Sequence, residues 1–379
     1  MNSAQIDTSL YPELDMPPRI LLGPGPSMVD PRVLRAMATP LVGHLDPRFL
    51  ELMDRTQSLL RYFFETQNPI TIPVSGTGTA AMEAAMANMV EPGDAVLVCV
   101  NGYFGLRLAE MARRYGGAVE TITRPWGEVF TPEDVKAALD KRPAKVVAIV
   151  HAETSTGVLQ PLDEIARIVH AQDGLLIVDA VTSLGGLPVR VDEIGLDVCY
   201  SAAQKCLSCP PGASPITLGP RAVDKLEKRS VPVTNWYLDL TLVQKYWGKE
   251  RTYHHTAPIS CNYALYEGLR LAAAETLEAR WARHRRNAER LWEGLEALDL
   301  TLHVPAEYRL PSLTTVRIPE GVDDLLVRQK LLNDYNIEIS GGLGELKGKV
   351  WRIGLMGYSS REENVLLLLA ALERLLHGT

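Results

Sequence analysis

The sequence predicts an α/β protein: a large domain on a mostly parallel sheet with helices on both faces, then a smaller C-terminal α+β domain. Strand-like apolar runs alternate with helix-like segments from residue 70 to residue 200, the pattern of strands joined by helical crossovers. Runs such as residues 175–178 are apolar at successive positions, as suits strands buried on both faces. With 379 residues and 46% hydrophobic content, the chain can bury more core than one domain usually holds.

After an irregular, proline-containing start, residues 46–66 carry apolar side chains at helical spacing, 70–74 read as a strand and 77–89 as a helix. Strand 95–100, a helix near 106–115, strand 118–122, helix 132–139, strand 145–151, helix 162–171 and strand 175–178 continue the alternation. Another strand-like run covers 196–200. Near Ala257 the pattern changes to long helical stretches reaching about Ala297. Strands at 313–318, 337–340 and 350–353 then alternate with helices at 323–334 and 362–376. The expected division is an N-terminal extension over 1–20, a large domain over 21–274 and a small one over 275–379. No fixed-period repeat or low-complexity segment interrupts it.

The net charge of −7 argues against a nucleic-acid binder, which would show a basic face. No apolar stretch reaches the roughly 18 residues of a spanning helix, and the start lacks the basic and apolar regions of a signal peptide. A cytoplasmic protein is expected. Cys99, Cys199, Cys206, Cys209 and Cys261 make an odd set in a long chain, better read as reduced thiols than as a disulfide framework.

The chemistry concentrates at Lys205 and Asp179. Asp179 ends the run Leu-Leu-Ile-Val-Asp, so its carboxylate would emerge at the carboxyl end of the sheet, where ligands collect in open α/β folds. Lys205 follows the strand-like run ending at Tyr200, in a loop rich in Ser, Cys, Pro and Gly. A lysine that forms a Schiff base must shed its proton, and an aspartate facing a pyridine nitrogen keeps that ring an electron acceptor. The pair therefore suggests pyridoxal 5′-phosphate; a solvated loop lysine is the plain alternative.

Val-Ser-Gly-Thr-Gly-Thr (74–79) joins a strand to a helix, where backbone amides of a glycine-rich turn can hold a phosphate. It matches neither the dinucleotide fingerprint nor the P-loop. Phe104, in Asn-Gly-Tyr-Phe-Gly after the next strand, could cover a pyridine ring or be a core aromatic. Arg352, amid the strand-like Val-Trp-Arg-Ile-Gly, needs a partner if buried, and a substrate α-carboxylate suits its planar fork; an edge-strand arginine in solvent is the alternative. No metal is expected. Cys206 and Cys209 run into Pro-Pro-Gly without a second ligand pair, and His254 and His255 would point opposite ways from one strand.

Read together and in order, eight segments resemble the alanine:glyoxylate and serine:pyruvate aminotransferase family, within the class V aminotransferases. They are Leu-Leu-Gly-Pro-Gly-Pro-Ser (21–27), Ser-Gly-Thr-Gly (75–78), Asn-Gly-Tyr-Phe-Gly (101–105), His-Ala-Glu-Thr-Ser-Thr-Gly (151–157), Asp-Ala-Val-Thr-Ser-Leu-Gly-Gly (179–186), Gln-Lys (204–205), Tyr-His-His-Thr (253–256) and Arg-Ile-Gly (352–354). The resemblance implies the fold-type I architecture, a large domain with a seven-stranded type of sheet, and a homodimer.

It also implies roles. Lys205 would carry the cofactor link and shuttle the proton, Asp179 would pair with the pyridinium nitrogen, Phe104 would stack on one ring face and Val181 pack on the other. Ser155 would reach the ring hydroxyl side and the substrate. Thr77, Gly78, Thr79 and Gln204 would hold the phosphate, completed by Tyr253 and Thr256 of the neighbouring subunit. Arg352 would bind the substrate carboxylate and Gly25 would approach it. Thr79 and Phe104 stand where animal relatives commonly carry histidine and tryptophan.

The expected reaction moves the amino group of a small amino acid, alanine or serine, to glyoxylate. One alternative is another fold-type I enzyme, such as a cysteine desulfurase using Cys206 or Cys209. It would be expected to carry a histidine beside the lysine, where Gln204 stands, and a cysteine on a late loop, whereas none follows Cys261. The other is a catalytically silent cofactor-binding relative, against which Lys205, Asp179 and Arg352 speak.

Overall fold

A computed structural model describes residues 6–378; residues 1–5 of the expected extension and Thr379 lie outside the described residues. Seven strands form the main sheet: β1 (Ile70–Gly76), β2 (Ala95–Val100), β3 (Ala118–Thr123), β4 (Val146–Val150), β5 (Leu175–Asp179), β6 (Val198–Tyr200) and β7 (Gly212–Leu218). Their order is β1-β7-β6-β5-β4-β2-β3. From β6 to β3 every pair is parallel, while β7 runs antiparallel to both β6 and β1.

Alternation along each strand divides the core. Val96, Val98 and Val100 of β2 join Leu175 and Ile177 of β5 in one buried cluster; Leu97 and Cys99 join Leu176 and Val178 in the other. Successive side chains point to opposite faces, so strands covered on both sides must be apolar throughout. The covering helices include α1 (Pro31–Met37), α2 (Pro47–Phe64), α3 (Gly78–Met89), α4 (Tyr103–Arg114), α5 (Pro132–Lys141) and α6 (Asp163–Ala171). α2 starts where Asp46 accepts the Arg48 N–H and Pro47 takes the first turn, a position that needs no donor. In α5, Thr131 and Asp134 cap each other's backbone amides.

After α7 (Pro220–Glu227), α8 (Leu240–Trp247) and α9 (Ile259–Glu275), the long helix α10 (Leu277–Ala297) leads to a three-stranded antiparallel sheet. That sheet is ordered β8 (Leu313–Arg317), β10 (Val350–Gly354), β9 (Ser340–Gly341) and packs with α11 (Asp324–Tyr335) and α12 (Glu362–His377). Leu22 belongs to this third cluster, beside Leu291, Val316, Leu331, Ile353 and Leu368. The short strand Ile20–Leu21 pairs in parallel with Ile337–Glu338, so the start of the chain is bound to its far end.

Three features differ from the sequence reading. The irregular start contains α1, capped by Asp30. The long helical stretches after Ala257 are as expected, dividing at Thr276, whose φ is +68° and whose hydroxyl accepts the Ala279 N–H. The strand expected at 337–340 is two short ones, one on Ile20–Leu21 and one on β10. Finally, β7, α7 and α8 were not legible. β7 contains Gly212, Ser214 and Pro215, a composition poor in strand formers. Pro215 is tolerated because it faces Pro73 on edge strand β1 and lies past the end of β6, using only its carbonyl to accept the Ser201 N–H.

Candidate active site

The carboxyl ends of β5 and β6 bring Asp179 and Tyr200 side by side in register. The Tyr200 hydroxyl donates to Asp179 Oδ2 at 2.8 Å and the Val181 N–H to Oδ1 at 2.9 Å. Asp179 is only 2% exposed. Burial pushes its pKa up to about 7, outweighing both hydrogen bonds, while the Lys205 charge pulls weakly the other way. A buried cation beside this carboxylate would restore its ionised form.

Lys205 lies in the turn that follows β6, with its Nζ donating to the Pro24 carbonyl. Burial, and next the nearby Arg352 charge, lower its pKa to about 8. The chain at Gly25 runs against this amine with φ of +112°, and a Cβ there would sit 2.6 Å from Nζ. Glycine is required by both conformation and space.

Lys205, Asp179, Gly78, Thr79, Phe104, Val181 and Gln204 line one cavity of about 120 Å³, together with Thr154, Met82 and Arg107. Thr77 precedes α3 as an exposed residue whose hydroxyl makes no cap, and no acidic residue occupies the first turn. The Ala80 amide is taken by the Thr77 carbonyl, while the Gly78 and Thr79 amides meet no side-chain cap and suit an anion. A Cβ on Gly78 would meet Ala202 at 2.9 Å and Val181 at 3.5 Å. Gln204 Oε1 is buried without a hydrogen-bond partner, a cost that a ligand at this spot would remove.

The buried Glu153 carboxylate organises the opposite wall. It accepts the Phe104 N–H at 3.2 Å, the Ser155 N–H at 3.0 Å and the Ser155 hydroxyl at 2.6 Å. The first turn of α4, and with it the half-buried Phe104 ring, is fixed by this one group. Ser155 Oγ also accepts the Tyr103 N–H at 2.9 Å, so its proton is committed and a lone pair remains. Ser155 does not line the cavity.

Arg352, on β10, is 5% exposed. Its guanidinium donates to the carbonyls of Gly341 at 2.8 Å and Thr154 at 3.3 Å, and among the described residues it forms no ion pair. Burial lowers its pKa to about 10. A buried arginine fork lacking a carboxylate, bonded to the backbone of the cavity-lining Thr154, can receive one.

Tyr253 and Thr256 are exposed and absent from the cavity wall of their own chain. The segment carrying them is irregular, and here the expectation for His254 and His255 is corrected: outside a strand their side chains do not diverge, and the imidazoles meet, Nδ1 to Nδ1, at 2.7 Å. His255 Nε2 in turn bonds Ser75 Oγ at 2.7 Å, next to the turn before α3. Cys206 and Cys209 are buried, and burial pushes their pKa up to about 11 and about 12. They remain protonated thiols, unsuited to nucleophilic work.

Sequence reasoning missed Glu153, Tyr200 and Arg107. Glu153 lies inside the 151–157 segment, where an acid between apolar strands and a Thr-Ser-Thr run was the available signal. Tyr200 ends the strand next to that of Asp179.

The main sheet, the small C-terminal sheet and a cavity at the strand ends define a transferase of the fold-type I architecture. The class-V aminotransferase model matches residues 20–366. The chain is 43% identical to (S)-ureidoglycine–glyoxylate transaminase of Bacillus subtilis, over 96% of this chain and 92% of that one. To alanine–glyoxylate aminotransferase of Rattus norvegicus it is 42% identical, covering 94% and 87%. The crystal structure of alanine–glyoxylate aminotransferase from Nostoc sp. superimposes with a TM-score of 0.96 at 57% identity, covering 98% of this chain and all of that one. The chain belongs to the class-V aminotransferases and is a transaminase.

Proposed function

We propose that this transaminase uses pyridoxal 5′-phosphate to move the amino group of a small amino acid, alanine or serine, onto glyoxylate, giving glycine. One observation carries the reading: the amine of Lys205 and the carboxylate of Asp179 line the same cavity, whose rim is an uncapped helix start. The residues present fit that cofactor. The α3 amides, Thr77, Gly78, Thr79 and the unpartnered Gln204 would hold its phosphate, Phe104 and Val181 would cover its ring, and Asp179 would face its nitrogen. When bound, the group supplies an electron sink for the pair released at the substrate α-carbon.

The chain's own residues do the rest. Lys205 Nζ, deprotonated with little difficulty in its buried site, takes the α-carbon proton and returns it. Arg352 orients the substrate through its carboxylate, and Gly25 leaves room beside the amine. Asp179, ionised beside a cationic ring, would accept the N–H of its nitrogen and keep it protonated. Relatives that act on glyoxylate with alanine and with (S)-ureidoglycine support the acceptor.

A homodimer and a cytoplasmic location belong to the same proposal. Tyr253 is 58% exposed, and Trp236, stacked on the adjoining His254, is 60% exposed, which supports a neighbouring subunit that receives Tyr253 and Thr256. All five cysteines are free, as suits a reducing compartment. Among the described residues no helix is long and apolar enough to cross a membrane.

The test is a panel of alanine, serine and (S)-ureidoglycine against glyoxylate and pyruvate, with kcat/KM for each pair. Glyoxylate with alanine or serine is expected to give the highest values, on a yellow protein bleached by donor and recoloured by acceptor. A protein that takes up no cofactor, or that prefers pyruvate with every donor, overturns the proposal.

A further inference from the structure

Arg107 is a cation in the cavity wall with no anion beside it. It sits on α4, one turn beyond Phe104, and lines the cavity with Thr79, Gln204 and Lys205. Its Nη1 donates to Thr79 Oγ1 at 3.0 Å. The guanidinium carbon lies 5.0 Å from the Phe104 ring centroid and 5.4 Å from that of Tyr103. Among the described residues no carboxylate lies within ion-pair distance of it. A guanidinium has five N–H groups, and one has a partner.

Two helix starts face this region, and they are treated differently. At α4 the positive end is neutralised by the buried Glu153 carboxylate on the Phe104 and Gly105 amides. At α3 there is no side-chain cap and no acidic residue in the first turn. Arg107 is nevertheless tethered to Thr79, in that first turn. Bringing a full positive charge to a positive helix end is unfavourable unless an anion lies between them. Both aromatic rings hold the guanidinium from its own helix, leaving its other donors for that anion.

We infer that Arg107 is a ligand of the cofactor's phosphate dianion, aimed by the Thr79 hydroxyl and supported by the Phe104 and Tyr103 rings. The inference rests on the cofactor reading given above. Substrate carboxylate is the other anion in reach of the cavity, but Arg352 supplies a separate, buried fork on the Thr154 side. The α3 end therefore belongs to the phosphate.

The test uses cofactor-stripped protein titrated with pyridoxal phosphate and, separately, with pyridoxal, which lacks the charged group. For Arg107→Gln, affinity for pyridoxal phosphate is expected to fall about tenfold or more, the scale of a lost charge-assisted contact, with pyridoxal affinity changed less than about twofold. Inorganic phosphate should compete with pyridoxal phosphate on wild type and markedly less on the variant. Thr79→Val, which removes only the aiming hydroxyl, should lose affinity in the same direction and by less. Melting of the stripped variant should stay close to wild type, because the half-buried side chain makes one hydrogen bond and two ring contacts of small energy.

Equal losses for both ligands would place Arg107 under the ring instead of at the phosphate and overturn the inference. An unchanged affinity for pyridoxal phosphate overturns it as well, while leaving the cofactor reading intact. Wild type that captures neither ligand sinks the cofactor reading itself, a different result.

Discussion

The amine of Lys205 does chemistry only when neutral, and an ordinary lysine is charged until well above pH 10. Burial together with the Arg352 charge brings its pKa down to about 8, against smaller opposing pulls from Cys206 and Asp179. Covalent capture of pyridoxal phosphate by the stripped protein should therefore accelerate as pH rises through about 8 and level off above it. Stopped-flow absorbance from pH 6 to 10 reads this directly. A rate still climbing tenfold per unit at pH 9.5 would show a lysine left in water. Arg352→Gln should shift the midpoint upward, because the nearby positive charge is removed.

At the scale of elements, the start of α4 depends on a residue 49 positions away in sequence, Glu153. Removing its carboxylate strands the Phe104 and Ser155 amides and the Ser155 hydroxyl in the interior. Glu153→Ala is expected to cost about 2–4 kcal/mol in denaturant unfolding, and Glu153→Gln, which keeps an acceptor, noticeably less. An alanine variant within about 0.5 kcal/mol of wild type would mean that the helix start is satisfied by other groups. The same contact shows what a sequence conceals. Lys205 and Asp179 were legible because each carries distinctive chemistry and follows an apolar strand run. The alternation of strands and helices up to β6 was legible for a similar reason: burial on both faces demands uninterrupted apolar residues. β7 was hidden, since an antiparallel strand that ends beside an edge can contain Pro215. Glu153, Arg107 and the His254–His255 contact were hidden because their roles arise from what packs against them. Their spacing along the chain carries no trace of those neighbours.

For the whole molecule, two interior histidines link folding to acid. His151, bonded to Ser183, has its pKa pushed down to about 4 by burial. His284 donates from Nδ1 to the Arg280 carbonyl, accepts the Gly357 N–H at Nε2, and is pushed to about 3 by burial and then by Arg280. Both are lowered from 6.5, so below pH 6.5 the unfolded chain binds protons that the folded one refuses. Their stabilisation is complete above that value and drains as pH falls towards 4. Near pH 5 the two sites alone should give a slope of about 2 kcal/mol per pH unit. Urea unfolding at pH 7, 6 and 5 measures it; stability that stays flat over that range would contradict the neutral, buried assignment.

The pairing of Ile20–Leu21 with Ile337–Glu338 imposes a timetable on synthesis. The first strand leaves the ribosome about 317 residues ahead of its partner, a wait of roughly 15–60 s at the usual rates of translation. Gly354 N–H then closes onto the Leu22 carbonyl, joining the Ser27 bonds to the Gln204 and Lys205 carbonyls in holding Pro24 and Gly25 against Lys205. A nascent chain arrested before residue 337 can own the seven-stranded sheet, its aspartate and its lysine, yet the outer anchor of the segment behind the amine comes only with β10. The oldest part of the chain is finished by the youngest.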